Sequence, residues 1–198
     1  MSEAGVQIGV ARARAGAVTR SVPRPAGAAR AVPDEAAIRG ALRGVMDPEL
    51  PMLSVVDLGI IHRLAVDAVT GAITVEILPT FVGCPALELI KASIAERLSE
   101  FGRAVEVVAT FEIPWTSERI SPNGRRALSA AGIAPPGADS AGSSGLAAGG
   151  LIELEPRVPC PHCGSRRTAL ENVFGPTPCR TIRHCADCRQ PFEAIKPV

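Results

Sequence analysis

Cys160-Pro-His-Cys163 and Cys185-Ala-Asp-Cys188 are the two stretches that decide the fold of the C-terminal part of the chain. Each is a CxxC pair, and 21 residues separate Cys163 from Cys185. A CxxC turn brings two thiols together and directs backbone amides at sulfur, so two such turns at hairpin tips form a tetrahedral four-sulfur site. The spacing predicts a metal-binding module at residues 151–198.

This module is too short to fold on apolar contacts alone. It has 48 residues, and metal binding contributes on the order of 10–16 kcal/mol in such sites, so the metal acts as the core. Structural Zn²⁺ is the predicted metal. Iron or an Fe–S cluster is the alternative, because both also take four thiolates. A thioredoxin-like redox role is disfavoured, because one CxxC pair would suffice for it.

Three further side chains beside the CxxC pairs could bind metal. Cys179 precedes Cys185 by six residues and could be an extra ligand, a reactive thiol or a small buried residue. His162 and His184 could replace a thiolate. Because four cysteines already complete a closed site, we expect all three to stay outside it.

Composition and charge exclude several classes of protein. The chain has 198 residues, 46% of them hydrophobic, with 21 basic and 20 acidic residues and a net charge of +1. This balance argues against a nucleic-acid binder and against a protein held to membranes by charge. No apolar run approaches the roughly 18 residues of a membrane span, and the N-terminus has no apolar signal core, so we expect a cytoplasmic protein.

Composition also divides the chain into four parts. Residues 1–33 are rich in Ala, Gly and Arg and are typical of a disordered tail, with an organellar import sequence as the alternative. Residues 34–133 have the patterns of a folded domain, and residues 134–150 have the composition of a flexible linker. The four-cysteine module at 151–198 completes the chain.

The first helix of the 34–133 domain has a cap and an apolar stripe. Asp34 offers the N-cap, and Pro48 ends the helix because it pushes Asp47 out of the helical region. The stripe consists of Ile38, Leu42, Val45 and Met46.

The rest of this domain alternates strands and helices. Residues 60–67 and 72–78 flank a Gly-containing turn and predict a β-hairpin. A helix with Pro85 in its first turn and an end at Gly102 follows, and then a strand at 104–111. A loop and a short helix occupy residues 115–133.

Cys84 is the candidate functional residue of this domain. It lies in Pro79-Thr-Phe-Val-Gly-Cys84-Pro85, between a strand and a helix N-terminus, where we expect the helix dipole to lower its pKa. It could be a nucleophile, a metal ligand or a small hydrophobic cap. The candidate partners are Asp47, Glu49, Asp57 and His62, and their spacing leaves open whether they converge.

Three segments of the domain resemble a known family. Asp47-Pro-Glu-Leu-Pro51, Asp57-Leu-Gly59 and the Cys84 segment resemble the signatures of the MIP18 family (DUF59), which is linked to iron–sulfur and metallocofactor assembly. The resemblance implies an α+β fold: a small α/β sandwich of helix, two strands, helix and strand, followed here by a zinc-ribbon-like β module. It also implies that Asp47 and Cys84 act in metal transfer.

The full layout resembles a narrower family, the accessory D components of phenylacetyl-CoA epoxidases. The resemblance rests on Trp115-Thr116, Gly132-Ile-Ala-Pro-Pro136 and a four-cysteine module ending in Pro191-Phe192. It implies a maturation factor for the di-iron epoxidase in aerobic phenylacetate degradation, with epoxidase subunits and iron–sulfur assembly proteins as partners. The alternative is a structural or electron-transfer component with redox iron in the four-cysteine module.

Catalytic signatures are absent from the sequence. It contains no GxGxxG, GxxxxGK[ST] or GxSxG motif. It also has no Glu-x-x-His, so the chain alone lacks the usual ligands of a carboxylate-bridged di-iron site. We therefore expect an accessory component rather than an enzyme.

Overall fold

The computed structural model describes residues 32–136 and 158–196. Residues 1–31 of the predicted tail and residues 137–150 of the predicted linker lie outside this part. In chain order the elements are α1 (Glu35–Leu42), β1 (Ile61–Val66), β2 (Ile73–Ile77), α2 (Leu87–Ser99), β3 (Val105–Ala109), a 3₁₀ turn (Ser117–Arg119), α3 (Pro122–Ala130), β4 (Ile133–Ala134), β5 (Thr168–Asn172), β6 (Arg180–Cys185) and β7 (Pro191–Ile195). The predicted α+β fold class is confirmed.

Helix α1 begins where the sequence predicted and ends earlier. The Asp34 side chain accepts a hydrogen bond from the Ala37 amide at 2.7 Å. The helix ends at Leu42, because the chain then turns through Gly44, whose amide donates to the carbonyl of Ala41. Met46 is therefore not part of the helical stripe; it pairs with Ser54 in an isolated β-bridge and is 51% exposed.

The first sheet has the order β1-β2-β3. Strands β1 and β2 form the predicted antiparallel hairpin, and β2 pairs with β3 in parallel across the α2 connection. Ile73, Val75 and Ile77 on β2 are buried in the main core. Helix α2 begins at Leu87, so Pro85 precedes the helix instead of lying in its first turn.

The Asp57-Leu58-Gly59 segment is a docking point for the chain that follows β3. The Trp115 indole donates to the carbonyl of Leu58 at 3.1 Å. The Ser121 hydroxyl donates to the Asp57 carboxylate at 2.6 Å, and Ser121 in turn caps α3. These bonds assign Asp57 to the scaffold.

The second sheet joins the two parts of the chain. Its order is β4-β7-β6-β5, and β4 pairs in parallel with β7. Ala134, the first residue of the predicted linker, thus lies in a strand. Ile195 of β7 is buried in the main core beside residues of the first domain. The cysteine module is therefore packed against that domain.

Within the residues that the structure describes, no helix has the length and apolar character needed to cross a membrane.

Candidate functional site

The four cysteines of the CxxC pairs converge on one point. Their sulfur atoms all lie within 4.8 Å of one another. The Sγ–Sγ distances are 3.6 Å for Cys160–Cys188 and 3.6 Å for Cys163–Cys185. A tetrahedral ion with metal–sulfur bonds of about 2.3 Å has sulfur–sulfur edges of roughly 3.8 Å, so the donor set fits such an ion.

Both CxxC pairs adopt the same turn. The Gly164 amide donates to the carbonyl of Cys160 at 2.8 Å, and the Arg189 amide donates to that of Cys185 at 2.9 Å. Gly164 has φ +75° and Arg189 has φ +58°; Arg189 is the one non-glycine residue with positive φ in the described ranges. The first turn is therefore relaxed and the second strained, because glycine adopts a positive φ without steric cost and arginine does not.

The pKa values of two thiols in this cluster are shifted in opposite directions. Backbone amides, that of Cys188 first, lower the pKa of the Cys185 thiol to about 6. The backbone amide of Gln190 favours the Cys188 thiolate, but burial and neighbouring thiols outweigh it and raise the pKa of Cys188 to about 12. Four thiolates this close repel one another, and a divalent ion removes that repulsion.

Asp187 of the second CxxC turn forms hydrogen bonds with residues that follow the first turn. Its carboxylate accepts hydrogen bonds from Ser165 and Arg167, which follow the first CxxC pair. His162 and His184 lie outside the four-sulfur group; His162 is exposed and His184 half-buried. Cys179 also lies outside the group.

Cys179 instead lines a cavity that it shares with Cys84. This cavity of about 50 Å³ lies where the cysteine module meets the first domain, and it also contains Asp47 and Glu49. Its apolar wall includes Trp115, Phe81, Leu58, Ile77, Ile90 and Ile195. A space of this size holds an ion and a small number of waters.

Asp47 is the most buried ionisable group of the cavity, with 6% exposure. Its Oδ1 accepts hydrogen bonds from the amides of Glu49 and Leu50, both at 2.8 Å. Its Oδ2 has no hydrogen-bonding partner in residues 32–136 or 158–196. Burial raises the pKa of this carboxyl, with the two amides opposing the rise.

The expectation for the Cys84 pKa is wrong. Burial raises the pKa of this thiol, and the charges of Glu49 and Asp47 raise it further. The Ala86 amide opposes these effects without overcoming them. The position explains the difference, because Cys84 precedes the first residue of α2 by three and faces two carboxylates.

The structure brings together only part of the candidate set. Asp47, Glu49 and Cys84 share the cavity, whereas Asp57 bonds to Ser54 and Ser121 within the scaffold. His62 lies on β1 and is exposed. The sequence analysis did not place Cys179 in this cavity. The packing of β7 against the first domain puts it there, and that packing leaves no recognisable pattern in the sequence around Cys179.

Two family models match separate ranges of the chain. Residues 35–109 match the model of a family described as iron–sulfur cluster assembly protein, and residues 148–196 match the PaaD zinc beta ribbon domain. A protein of Escherichia coli (strain K12), whose name describes it as the D component of a 1,2-phenylacetyl-CoA epoxidase, is 33% identical over 156 residues. That alignment covers 78% of this chain and 88% of the relative.

Two solved structures are similar to part of the chain. A DUF59 domain from Bacillus anthracis is 28% identical with a TM-score of 0.45, covering 48% of this chain and 90% of its own. A conserved hypothetical protein from Thermotoga maritima is 32% identical with a TM-score of 0.41, covering 47% of this chain and 91% of its own.

Proposed function

The chain belongs to the PaaD family, that of the D component of 1,2-phenylacetyl-CoA epoxidase, and on this premise we propose that it matures the metal centre of that epoxidase. In this role it docks on the epoxidase subunits in the cytoplasm and receives iron from iron–sulfur assembly proteins. It delivers the iron to the oxygenase and has no catalytic activity of its own.

The observation that carries this proposal is the cavity shared by Cys84 and Asp47. A thiol and a carboxylate oxygen without a hydrogen-bonding partner in the described residues line one small space in the domain that matches the iron–sulfur assembly family. Such a donor pair binds divalent transition metals and still leaves coordination positions for an acceptor protein. A ligand set of this kind suits metal that passes through the site.

The four-cysteine cluster has a separate, structural role in this proposal. Cys160, Cys163, Cys185 and Cys188 would hold one Zn²⁺, and the ion would supply the folding energy that a small module lacks. All four donor positions come from the protein, so the site is closed to substrates. The match to a zinc beta ribbon supports zinc over iron. Elemental analysis of protein purified without oxygen tests this, since iron with visible absorption would support the electron-transfer alternative.

Exposed apolar residues beside the cavity support a docking face. Phe81 is 47% exposed and Val82 is 81% exposed, and both belong to the loop that leads to Cys84. Large apolar side chains at a surface commonly mark a protein contact. Binding to the epoxidase subunits should therefore persist at moderate salt and weaken in a Val82→Ser variant.

The test is the iron content of the oxygenase in cells that carry Cys84→Ser. The substitution retains similar volume and removes the soft donor, so we expect a folded accessory protein and a full-length oxygenase with less iron and less activity. Val69→Ser is the matched control, because Val69 is 92% exposed in the β1–β2 turn and does not line the cavity. Equal iron per oxygenase molecule in wild-type and Cys84→Ser cells would contradict the proposal.

A further inference from the structure

Cys179 enters the cavity from the cysteine module, opposite the elements that carry Cys84. It precedes β6, and its carbonyl accepts a hydrogen bond from the amide of Lys196 at 2.9 Å. Its sulfur lies 3.2 Å from the Thr177 hydroxyl. These contacts hold the thiol at the wall of the cavity, away from the four-sulfur cluster.

The neighbouring Arg180 joins this turn to the first domain. Its guanidinium forms an ion pair with Glu193 at 2.6 Å and donates to the carbonyl of Glu49 at 3.4 Å. Ile195, next to Lys196, is 4% exposed and belongs to the main core. Arg180, next to Cys179, thus connects this turn to the carbonyl of Glu49, two residues after Asp47.

We propose that Cys179 is a second thiolate ligand of a metal-cargo site, and that Cys84, Cys179 and the Oδ2 atom of Asp47 together bind one divalent transition-metal ion of the Fe²⁺ class. This proposal deepens the function proposed above and rests on it. On binding, both thiols release their protons to water and form metal–sulfur bonds. The ion would then lie between the two parts of the chain.

The donor set selects the class of metal. Two thiolates favour Fe²⁺, Co²⁺ or Zn²⁺ over Mg²⁺ and Ca²⁺, which require oxygen ligands. Asp47 supplies a third donor that is more than nine-tenths buried and has one oxygen without a hydrogen-bonding partner in the described part of the chain. The volume of about 50 Å³ matches one ion with water better than an organic substrate.

The geometry also suits release. Among the described residues, only the four-cysteine cluster has three or more donors within 4.8 Å of one another. The donors of the cavity must therefore move together to bind an ion, and the cost of that movement weakens binding. A cargo site needs this property, whereas the preassembled four-cysteine cluster has the geometry of a permanent site.

Cobalt binding to the full-length, zinc-loaded protein tests the proposal. Co²⁺ is added without oxygen, and sulfur-to-cobalt charge-transfer absorption is measured together with zinc content. We expect one Co²⁺ per chain with the intensity of two thiolates, while zinc stays bound. Cys84→Ser and Cys179→Ser should each leave the intensity of one thiolate and weaken binding at least about tenfold, since even the loss of an outer-shell partner costs that much.

Two controls separate ligand loss from unfolding. Each variant must retain its zinc and its melting temperature, and Cys179→Ala provides a second substitution if the serine variant is unstable. Val69→Ser should bind Co²⁺ like the wild type. Wild-type protein that binds no Co²⁺ beyond the zinc site, or Cys179→Ser with unchanged affinity and intensity, would overturn the proposal. The iron content of the oxygenase from Cys84→Ser cells decides the proposed function independently.

Discussion

Ile133 lies opposite Glu193 in the parallel pairing of β4 with β7. Because of this pairing, the last strand of the first domain is also the edge strand of the ribbon sheet. The burial of Ile195 in the main core adds apolar contact at the same interface. The two parts of the chain therefore share backbone hydrogen bonds and core packing.

The first prediction concerns loss of the cluster metal. On linker composition alone, Cys163→Ser would unfold the module and leave residues 34–133 unaffected. With Ile195 in the main core, we expect zinc to be lost and the first domain to remain folded but less stable by about 2–4 kcal/mol, as for other core truncations. Calorimetry combined with metal analysis measures this.

Ile195→Ala is the control for the coupling. It should lower the stability of the first domain by a similar amount while the four cysteines retain their metal. An unchanged melting transition for residues 34–133 in both variants would show that the domains are energetically independent.

The second prediction compares two glycines. Gly59 has φ +74°, and a Cβ built there would lie 2.2 Å from the carbonyl oxygen of Arg119. Gly59→Ala must displace backbone, so we expect a loss of more than about 2 kcal/mol of stability. Gly40 is in α1 with nothing within 4 Å of its built Cβ, and Gly40→Ala should stabilise by about 0.5–1 kcal/mol. Urea unfolding of the two variants gives both values, and equal effects would contradict the argument.

The third prediction concerns the two CxxC turns. Arg189→Gly should relieve the strain at φ +58° and tighten metal binding in the cluster by roughly threefold to tenfold, equivalent to about 1 kcal/mol. Gly164→Ala introduces strain at φ +75° without a steric clash, so it should weaken binding by a similar factor. Competition with a chromophoric chelator measures both affinities. Tighter binding by Gly164→Ala would be inconsistent with the backbone explanation.

The parts of the structure that could be predicted from sequence are those set by local chemistry. The Asp34 cap and the hairpin around Gly71 depend on residues close in sequence, and the four-cysteine cluster follows from the spacing within two CxxC pairs. The end of α1 could not be placed, because Val45 reaches the core from a turn after Gly44 rather than from the helix.

The cavity lay beyond sequence reasoning for a different reason. Cys84 and Cys179 line one cavity because the pairing of β4 with β7, the packing of Ile195 and the bond from Arg180 to Glu49 hold the two parts of the chain together. No periodicity or spacing encodes that docking. The upward shift of the Cys84 pKa also depends on this packing, because burial and the charges of Glu49 and Asp47 cause it.

The fourth prediction is a pH dependence that arises from Asp47. Burial raises the pKa of Asp47 in the folded protein above the ordinary value of 3.8. At pH values between 3.8 and this raised pKa, the native state keeps a proton that the unfolded chain has released. The free energy of unfolding therefore falls as pH rises through that window. Asp47→Asn keeps an oxygen for the amides of Glu49 and Leu50 and removes the charge.

Asp47→Asn should consequently gain stability relative to the wild type as pH rises above 3.8 toward neutrality. Urea unfolding at several pH values measures this difference, with Glu118→Gln as an exposed carboxylate control outside the cavity. A constant difference across the series would mean that burial does not perturb Asp47.

The last prediction concerns the reactivity of Cys84. Burial and the charges of Glu49 and Asp47 raise the pKa of this thiol above its ordinary value of 9.0, and Cys179 in the same cavity acts in the same direction. Because only the thiolate reacts, the rate of alkylation by iodoacetamide should have its pH midpoint above 9.0. Glu49→Gln removes one of these charges, so its midpoint should be lower and its rate at neutral pH higher. Glu118→Gln should leave the midpoint and the rate unchanged.

Mass spectrometry of the zinc-loaded protein distinguishes alkylation of Cys84 from alkylation of Cys179. Steric hindrance by Phe81 and Val82 would lower the rate at every pH, whereas a raised thiol pKa moves the midpoint. A wild-type midpoint below 9.0 would mean that the helix N-terminus, rather than burial and the two carboxylates, determines the direction of the shift in the Cys84 pKa.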